Sequence, residues 1–261
     1  MMNLLKELYS YRELLKTNVK KEIRGKYKGS LLGVLWSFIN PLLQVVVYAL
    51  IFPYLMRGTS EHYLVYLITG IIPWTFFTTS VNQGMTTVRA NAGIIKKVYF
   101  PREILPISVV LSQLVNFLIS CIIIVVFCIG DGVGISWHII LLPVITLIFS
   151  IFTLGLAFGL GAINVYIKDT EYIIQFMLNM LMYGTPIIYE LSLFSGSGGI
   201  LYKLINLNPL THVIMSYRDI FLYHQLPNMK ILGIVTIFSV IILIAGYLIF
   251  KKLQKGFAEE L

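Results

Sequence analysis

Apolar residues gather into six long blocks, at 31–56, 63–81, 104–129, 138–163, 172–189 and 229–250, and polar residues collect between them. A helix needs about 20 apolar residues to cross the hydrocarbon core of a bilayer, and each block is near that length. Within the blocks the apolar character is continuous, whereas the strands of a membrane barrel would alternate. The pattern therefore predicts an all-α, polytopic membrane protein with six transmembrane helices in a single domain covering residues 1–261. Prolines mark where these helices should bend: Pro41 and Pro53 in the first, Pro73 beside Gly70 in the second, and Pro186 in the fifth. The turn sequence Gly130-Asp131-Gly132-Val133-Gly134 reverses the chain between the third and fourth.

Other stretches have patterns of their own. Across residues 3–28, Leu4, Leu8, Tyr11, Leu15, Val19 and Ile23 recur at helical spacing among Lys6, Arg12, Lys16, Lys20, Lys21 and Arg24. That is a basic amphipathic helix lying in the membrane interface. Residues 91–103 mix Lys96, Lys97, Arg102 and Glu103 with Ile94, Ile95, Val98, Tyr99 and Phe100. They are too apolar for a solvent loop and too charged for lipid, so they form a surface element with something docked on it. Residues 190–228 are too polar to span, yet residues 200–206 and 210–223 are amphipathic. Such segments dip into the outer leaflet and return, which makes re-entrant helices and a lid.

Composition agrees with the pattern. Hydrophobic residues make up 57% of the chain and charged residues only 12%, about half the usual soluble fraction. The net charge of +8 does not call for nucleic acid, because sixteen of the 20 lysines and arginines fall in alternate inter-block segments. Eight precede residue 31, four lie in 82–103, one in 164–171 and three in 251–261. By the positive-inside rule those segments, and both termini, are cytoplasmic. Cys121 and Cys128 sit about 10 Å apart along one predicted helix, too far for a disulfide.

The blocks hold no Asp, Glu or Arg, and Lys230 only at an edge. A proton- or sodium-driven transporter usually carries its coupling charge on an intramembrane acid or histidine. The chain also lacks a Gly-x-x-x-x-Gly-Lys-Ser/Thr phosphate loop, zinc-ligand spacing and a Ser/His/Asp set, so no catalytic or metal residues are assigned. Neutral polar stripes are present instead. Ser37, Asn40, Gln44 and Tyr48 share one face of the first block, and Gln175, Asn179 and Tyr183 one face of the fifth. Tyr66, Gly70, Trp74 and Phe77 share a face of the second. Amides mixed with aromatics suit an uncharged, hydroxyl-rich substrate, which stacks on a ring and takes amide hydrogen bonds. Asn40, Gln44, Tyr48, Trp74, Phe77, Asn179 and Tyr183 are therefore the candidate transport pathway. Ser108, Ser112, Asn116 and Ser120 form a stricter ladder on the third block, better suited to interhelical hydrogen bonds. Gly155-x-x-x-Gly159 allows close helix approach, within the subunit or between two subunits.

With these parts in place the chain resembles the permease subunit of type-2 ABC transporters, in the branch exporting polysaccharides and polyol phosphates (O-antigen, capsule and teichoic-acid exporters). The resemblance covers the whole chain. It rests on Arg24-Gly25-Lys26-Tyr27-Lys28-Gly29-Ser30-Leu31-Leu32-Gly33 leading to Trp36 and Asn40-Pro41, and on Gly70-Ile71-Ile72-Pro73-Trp74. It rests equally on Phe100-Pro101-Arg102-Glu103, Tyr166-Ile167-Lys168-Asp169, Tyr183-Gly184-Thr185-Pro186-Ile187, Asn208-Pro209 and the tail Phe257-Ala258-Glu259-Glu260-Leu261.

The resemblance implies a homodimer around a central channel, two separate ATP-binding cassette subunits holding ATP and magnesium, and a polyprenyl-linked glycan as cargo. This chain would then bind no cofactor and catalyse nothing, and it would sit in a bacterial or archaeal cytoplasmic membrane. Residues 91–103 would be the coupling helix, with Ile94, Ile95, Lys96, Lys97, Tyr99, Phe100, Pro101, Arg102 and Glu103 engaging the ATPase. Lys168 and Asp169 would be a second contact, although the family usually has Arg-Asp there and lysine lacks arginine's fork. Asn208, Pro209, Arg218 and Asp219 would belong to the outer gate. On this view, alanine at Phe100, Pro101 and Arg102 should uncouple hydrolysis from export and leave the fold intact. A membrane-embedded lipid-linked glycan transferase, or a type-2 exporter of drugs or small lipids, are the alternatives. Turnover by the purified chain alone would mark the first.

Overall fold

A computed structural model describes residues 9–25, 35–55, 61–191 and 199–261. Expectations on Leu4, Leu8 and 26–33 lie outside the described residues, as do those on the side chains of Arg24 and Ser37. Among the described residues the structure is helical throughout and contains no strand. In chain order the α-helices are α1 (Arg12–Gly25), α2 (Trp36–Leu55), α3 (Tyr63–Ala90), α4 (Ala92–Ile95), α5 (Ile104–Gly130) and α6 (Leu142–Tyr166). They continue as α7 (Thr170–Tyr183), α8 (Ile200–Leu207), α9 (Pro209–Phe221), α10 (Met229–Leu253) and α11 (Phe257–Glu260). Among the described residues four helical stretches are long and apolar enough to cross a membrane: Tyr63–Ala90, Ile104–Gly130, Trp137–Tyr166 and Met229–Glu260. A shorter apolar stretch, Ile39–Tyr54, lies in α2.

Helix α3 is the centre of the bundle, packed by α5 and α6 and flanked by α2 and α7. Phe77 stacks on Phe149 and Phe152 of α6 at ring separations of 5.8 and 5.9 Å, and Phe76 meets Phe117 of α5. The α3 helix runs nine residues beyond the apolar block at 63–81. Residues 82–90 contain no proline, and Gly84, Met85, Thr87 and Val88 are buried in the continuing interface. Small residues set the spacing of α6 on both sides. A Cβ on Gly84 would lie 2.6 Å from Ala157, and one on Gly155 2.6 Å from the Leu243 nitrogen of α10. A Cβ on Gly246 would collide with the Gly155 carbonyl. The Gly155-x-x-x-Gly159 pattern thus serves packing inside the subunit, against α10.

Two expected elements have different bounds. Residues 172–189 read as one bent span, but α7 stops at Tyr183 and residues 184–189 form non-helical turns. The physical reason is Gly184-Thr185-Pro186: Pro186 has no N–H to continue the ladder, and Gly184 closes the helix with its N–H on the Met180 carbonyl. Residues 91–103 read as one coupling helix, but only Ala92–Ile95 is helical. Pro101 disfavours helical backbone at Phe100, and the chain leaves the helix to bury that ring.

Candidate coupling surface, pathway and gate

At the end of the bundle that carries most of the lysine and arginine, the 91–103 segment divides into two sides. Ile95 and Phe100 are buried in a cluster with Val88, Leu105, Phe158, Val165, Phe250 and Phe257. Ile94, Lys96, Lys97, Val98 and Tyr99 are exposed, with Tyr99 at 92% forming the apex. Arg102 and Glu103 face the C-terminal tail. The Arg102 guanidinium donates to the Gln254 carbonyl and lies 5.7 Å from the centre of the Phe257 ring. The Glu103 carboxylate is 2% exposed and accepts from Lys251 Nζ at 3.2 Å and Gln254 Nε2 at 3.3 Å. Phe100 and Arg102 are therefore packing residues. The expectation that a Phe100, Pro101 and Arg102 triple alanine spares the fold is corrected, because it would empty part of a buried cluster. Helix α1 leans on α5, and Lys21 Nζ reaches Asn91 Oδ1 at 3.2 Å.

Lys168 and Asp169 are exposed on the turn between α6 and α7. Beside them Arg89, at the end of α3, pairs with Glu171 of α7 at 3.7 Å. An open cleft of about 560 Å³ lies between these groups, bounded by Thr86, Arg89, Lys168, Glu171, Glu260 and Leu261. The two predicted contact regions thus border one face.

The pathway candidates separate by helix. Asn40 is exposed on α2, and Gln44 Nε2 donates to the Tyr48 hydroxyl at 3.1 Å on the same helix. Asn179 and Tyr183 are exposed on α7. Trp74 and Phe77 are 5% and 1% exposed, and their rings are committed to the α3–α6 core. The reason is that this face of α3 is apolar and meets the aromatic face of α6. The Ser108, Ser112 and Ser120 hydroxyls donate to carbonyls of their own helix, so most of that ladder does not reach another helix.

At the opposite end, α9 clamps the break after α7. Asn208 caps α9, its Oδ1 accepting from Leu210 N at 3.0 Å, while its Nδ2 donates to Thr185 Oγ1 at 2.9 Å. Pro209 follows at the first helical position, where a missing N–H costs nothing. Nine residues after Pro209, Arg218 closes the other side. It is fully buried and donates to the carbonyls of Pro186, Ile187 and Tyr66. Its guanidinium carbon lies 3.4 Å from the centre of the Tyr66 ring, a cation–π contact. The Tyr63 and Tyr66 hydroxyls donate to the Ile188 and Tyr189 carbonyls at 2.8 and 2.7 Å. Each carbonyl from Pro186 to Tyr189 thus has a donor, which is what buried non-helical backbone requires. Gly70 makes room: a Cβ there would lie 2.9 Å from Arg218 Nη2. Asp219 points away and accepts from Gln225 Nε2 at 2.7 Å. Partial burial raises its carboxyl above the usual range, and the Gln225 hydrogen bond opposes that.

Tyr63, Tyr66, Gly70 and Thr185 were not singled out for this clamp from the sequence. The signal available was Arg218 itself, the sole lysine or arginine in residues 210–223, which demands buried acceptors.

Comparison with known proteins bears on the whole chain. A family model described as ABC-2 type transporter matches residues 13–222. The chain is 37% identical over its full length to the O-antigen export system permease protein RfbA of Myxococcus xanthus, covering 100% of both chains. It is 35% identical to the protein of the same name from Klebsiella pneumoniae, over 95% of each. It is 22% identical to the polysialic acid transport protein KpsM of Escherichia coli, over 90% of this chain and 92% of that one. These relatives are transporter subunits rather than enzymes. The chain belongs to the ABC-2 type transporter family, as a multi-pass membrane permease.

Proposed function

We propose that this chain is the channel-forming permease of an ATP-driven exporter that moves a polyprenyl-linked polysaccharide or polyol phosphate out across the cytoplasmic membrane. The observation that carries it is full-length similarity to permeases named for O-antigen export. Two copies pair, and two ATP-binding cassette subunits beneath them hold ATP and magnesium. The exposed face of 94–99, with Tyr99 at its apex, is the docking knob for an ATPase, and Lys168-Asp169 is a smaller contact beside it. Helix α1 lies along the inner leaflet. Helix α2 and the α7 segment through Tyr189 complete six crossings, α8 and α9 are re-entrant gate helices, and both termini are cytoplasmic. Asn40, Gln44, Tyr48, Asn179 and Tyr183 line the path, since they are the pathway candidates with accessible surface.

The test is deletion of this gene in its host, with surface glycan measured by immunoblot and undecaprenyl-linked chains measured inside the cell. Loss at the surface with accumulation inside, restored by the wild-type gene, is expected. Normal surface glycan in the deletion strain would overturn the assignment.

A further inference from the structure

Helix α3 is covered on almost every side. Between Val65 and Val88 the residues that keep accessible surface are Thr75, Thr78, Thr79, Asn82, Gln83 and Thr86. All six are polar. The 75, 79, 82 and 86 positions follow steps of four, three and four, which is one face of a helix. A face turned to lipid would be apolar, as it is on α5, where Leu111, Val115, Leu118 and Ile122 are exposed. Two amides on the α3 face would be costly in hydrocarbon.

The hydrogen bonds give this face a direction. The hydroxyls of Thr75, Thr78 and Thr86 donate to the carbonyls of Ile71, Trp74 and Asn82, and Thr79 donates to Thr75. Their protons are used within the helix, so only oxygen lone pairs remain outward. Behind the stripe, Gln113 Nε2 of α5 donates to Gln83 Oε1 at 2.7 Å. Asn116 of α5 is 7% exposed, and its Oδ1 and that of Asn82 are buried with no hydrogen-bond partner among the described residues. Asn116 borders a cavity of about 40 Å³ with Thr75, Thr79 and Pro41. A single water needs about 10–15 Å³ of such space, so the cavity takes a hydroxyl group or a water but not a sugar ring.

We propose that the accessible face of α3 is a neutral hydrogen-bonding wall of the transport path, its threonine oxygens accepting from the hydroxyls of a sugar chain and its amide N–H groups donating to them. The inference rests on the export assignment above and adds a third wall, one of neutral hydrogen-bonding groups, to the α2 and α7 residues. From Thr75 to Gln83 the face carries no charged side chain, and Arg89 and Lys168 stand only beside Thr86 at its end.

Two measurements on the assembled transporter test the wall. In a background with Cys121 and Cys128 replaced by alanine, cysteines at Thr79 and Asn82 meet a cationic, water-soluble methanethiosulfonate in membranes. Reaction at least about tenfold faster than at Leu118→Cys is expected, since that residue has the lipid-facing profile. Rates as slow as that control, through cover by lipid or by a second copy, overturn the proposal. This arm does not depend on any glycan. Surface glycan is then measured for Thr79→Val/Thr86→Val and for Thr79→Ser/Thr86→Ser. The valine pair keeps shape but removes two acceptors, and about tenfold less export is expected, with the serine pair near wild type. Equal export by both pairs overturns the wall. If Tyr48→Leu and Tyr183→Leu still abolish export in that case, the pathway itself stands.

Discussion

Tyr99 and Phe100 are neighbours in sequence with opposite environments, so their alanine variants should fail differently. Tyr99→Ala removes an almost fully exposed ring, and thermal unfolding in detergent should change by no more than about 0.5 kcal/mol. Co-purification of the ATPase should fall at least about tenfold, as loss of a central aromatic anchor does at interfaces. Phe100→Ala removes a ring from a buried cluster and should cost about 3 kcal/mol of stability before any effect on docking can be read. Arg218 supplies a second contrast. Arg218→Lys keeps the charge but not the fork, so the Pro186 and Ile187 carbonyls cannot both keep their donor. Each carbonyl left without a donor costs about 1–3 kcal/mol, and the unfolding midpoint should drop accordingly. The sequence singled out Arg218 as an outer-gate candidate through the family resemblance. Its acceptors were not legible, because they are main-chain atoms about 30 and 150 positions away and carry no side-chain signature.

Among the elements, α6 and α10 approach most closely where neither carries a side chain, at Gly155 and Gly246. Gly246→Ala should destabilise by about 1–3 kcal/mol because the new methyl meets the Gly155 carbonyl and main chain cannot step aside. Gly233→Ala on the same helix meets nothing and should be neutral or slightly stabilising, by up to about 1 kcal/mol. Unfolding of both variants in one detergent checks the pair. The positions of α3, α5, α6 and α10 were readable from apolar runs because bilayer thickness sets their length. The early end of α7 was harder to read. Pro186 announced a bend, but a bend within a helix and a full exit from it share one sequence signal. What decides is whether outside donors reach the freed carbonyls, and here Tyr63, Tyr66 and Arg218 do so. The four-residue α4 was misjudged for a related reason: a buried ring at Phe100 outweighed local helix preference. The pathway candidates divide by helix. Polar stripes on α2 and α7 could be seen by spacing, whereas the aromatic face of α3 looked the same whether it met sugar or the rings of α6.

For the whole molecule, orientation is the prediction that costs least to check. Cysteine at Tyr99 should react with an impermeant thiol reagent only after the membrane is opened, and cysteine at Ile135 should react in intact cells. Both positions are exposed, and they lie at opposite ends of α5. Reversed labelling would put the lysine-rich end outside and remove any docking site for a cytoplasmic ATPase. The Arg218 clamp also has a mechanical meaning. It joins three separate pieces of chain through one planar group: the N-terminal half of α3, the exit from α7, and α9. Pulling α9 aside alone would break several hydrogen bonds to a buried cation at once, which no modest stroke from below could sustain. These pieces therefore travel as one rigid block. Any opening at this end of the bundle would part along a thinner joint, such as that between α8 and α9, and not through the block.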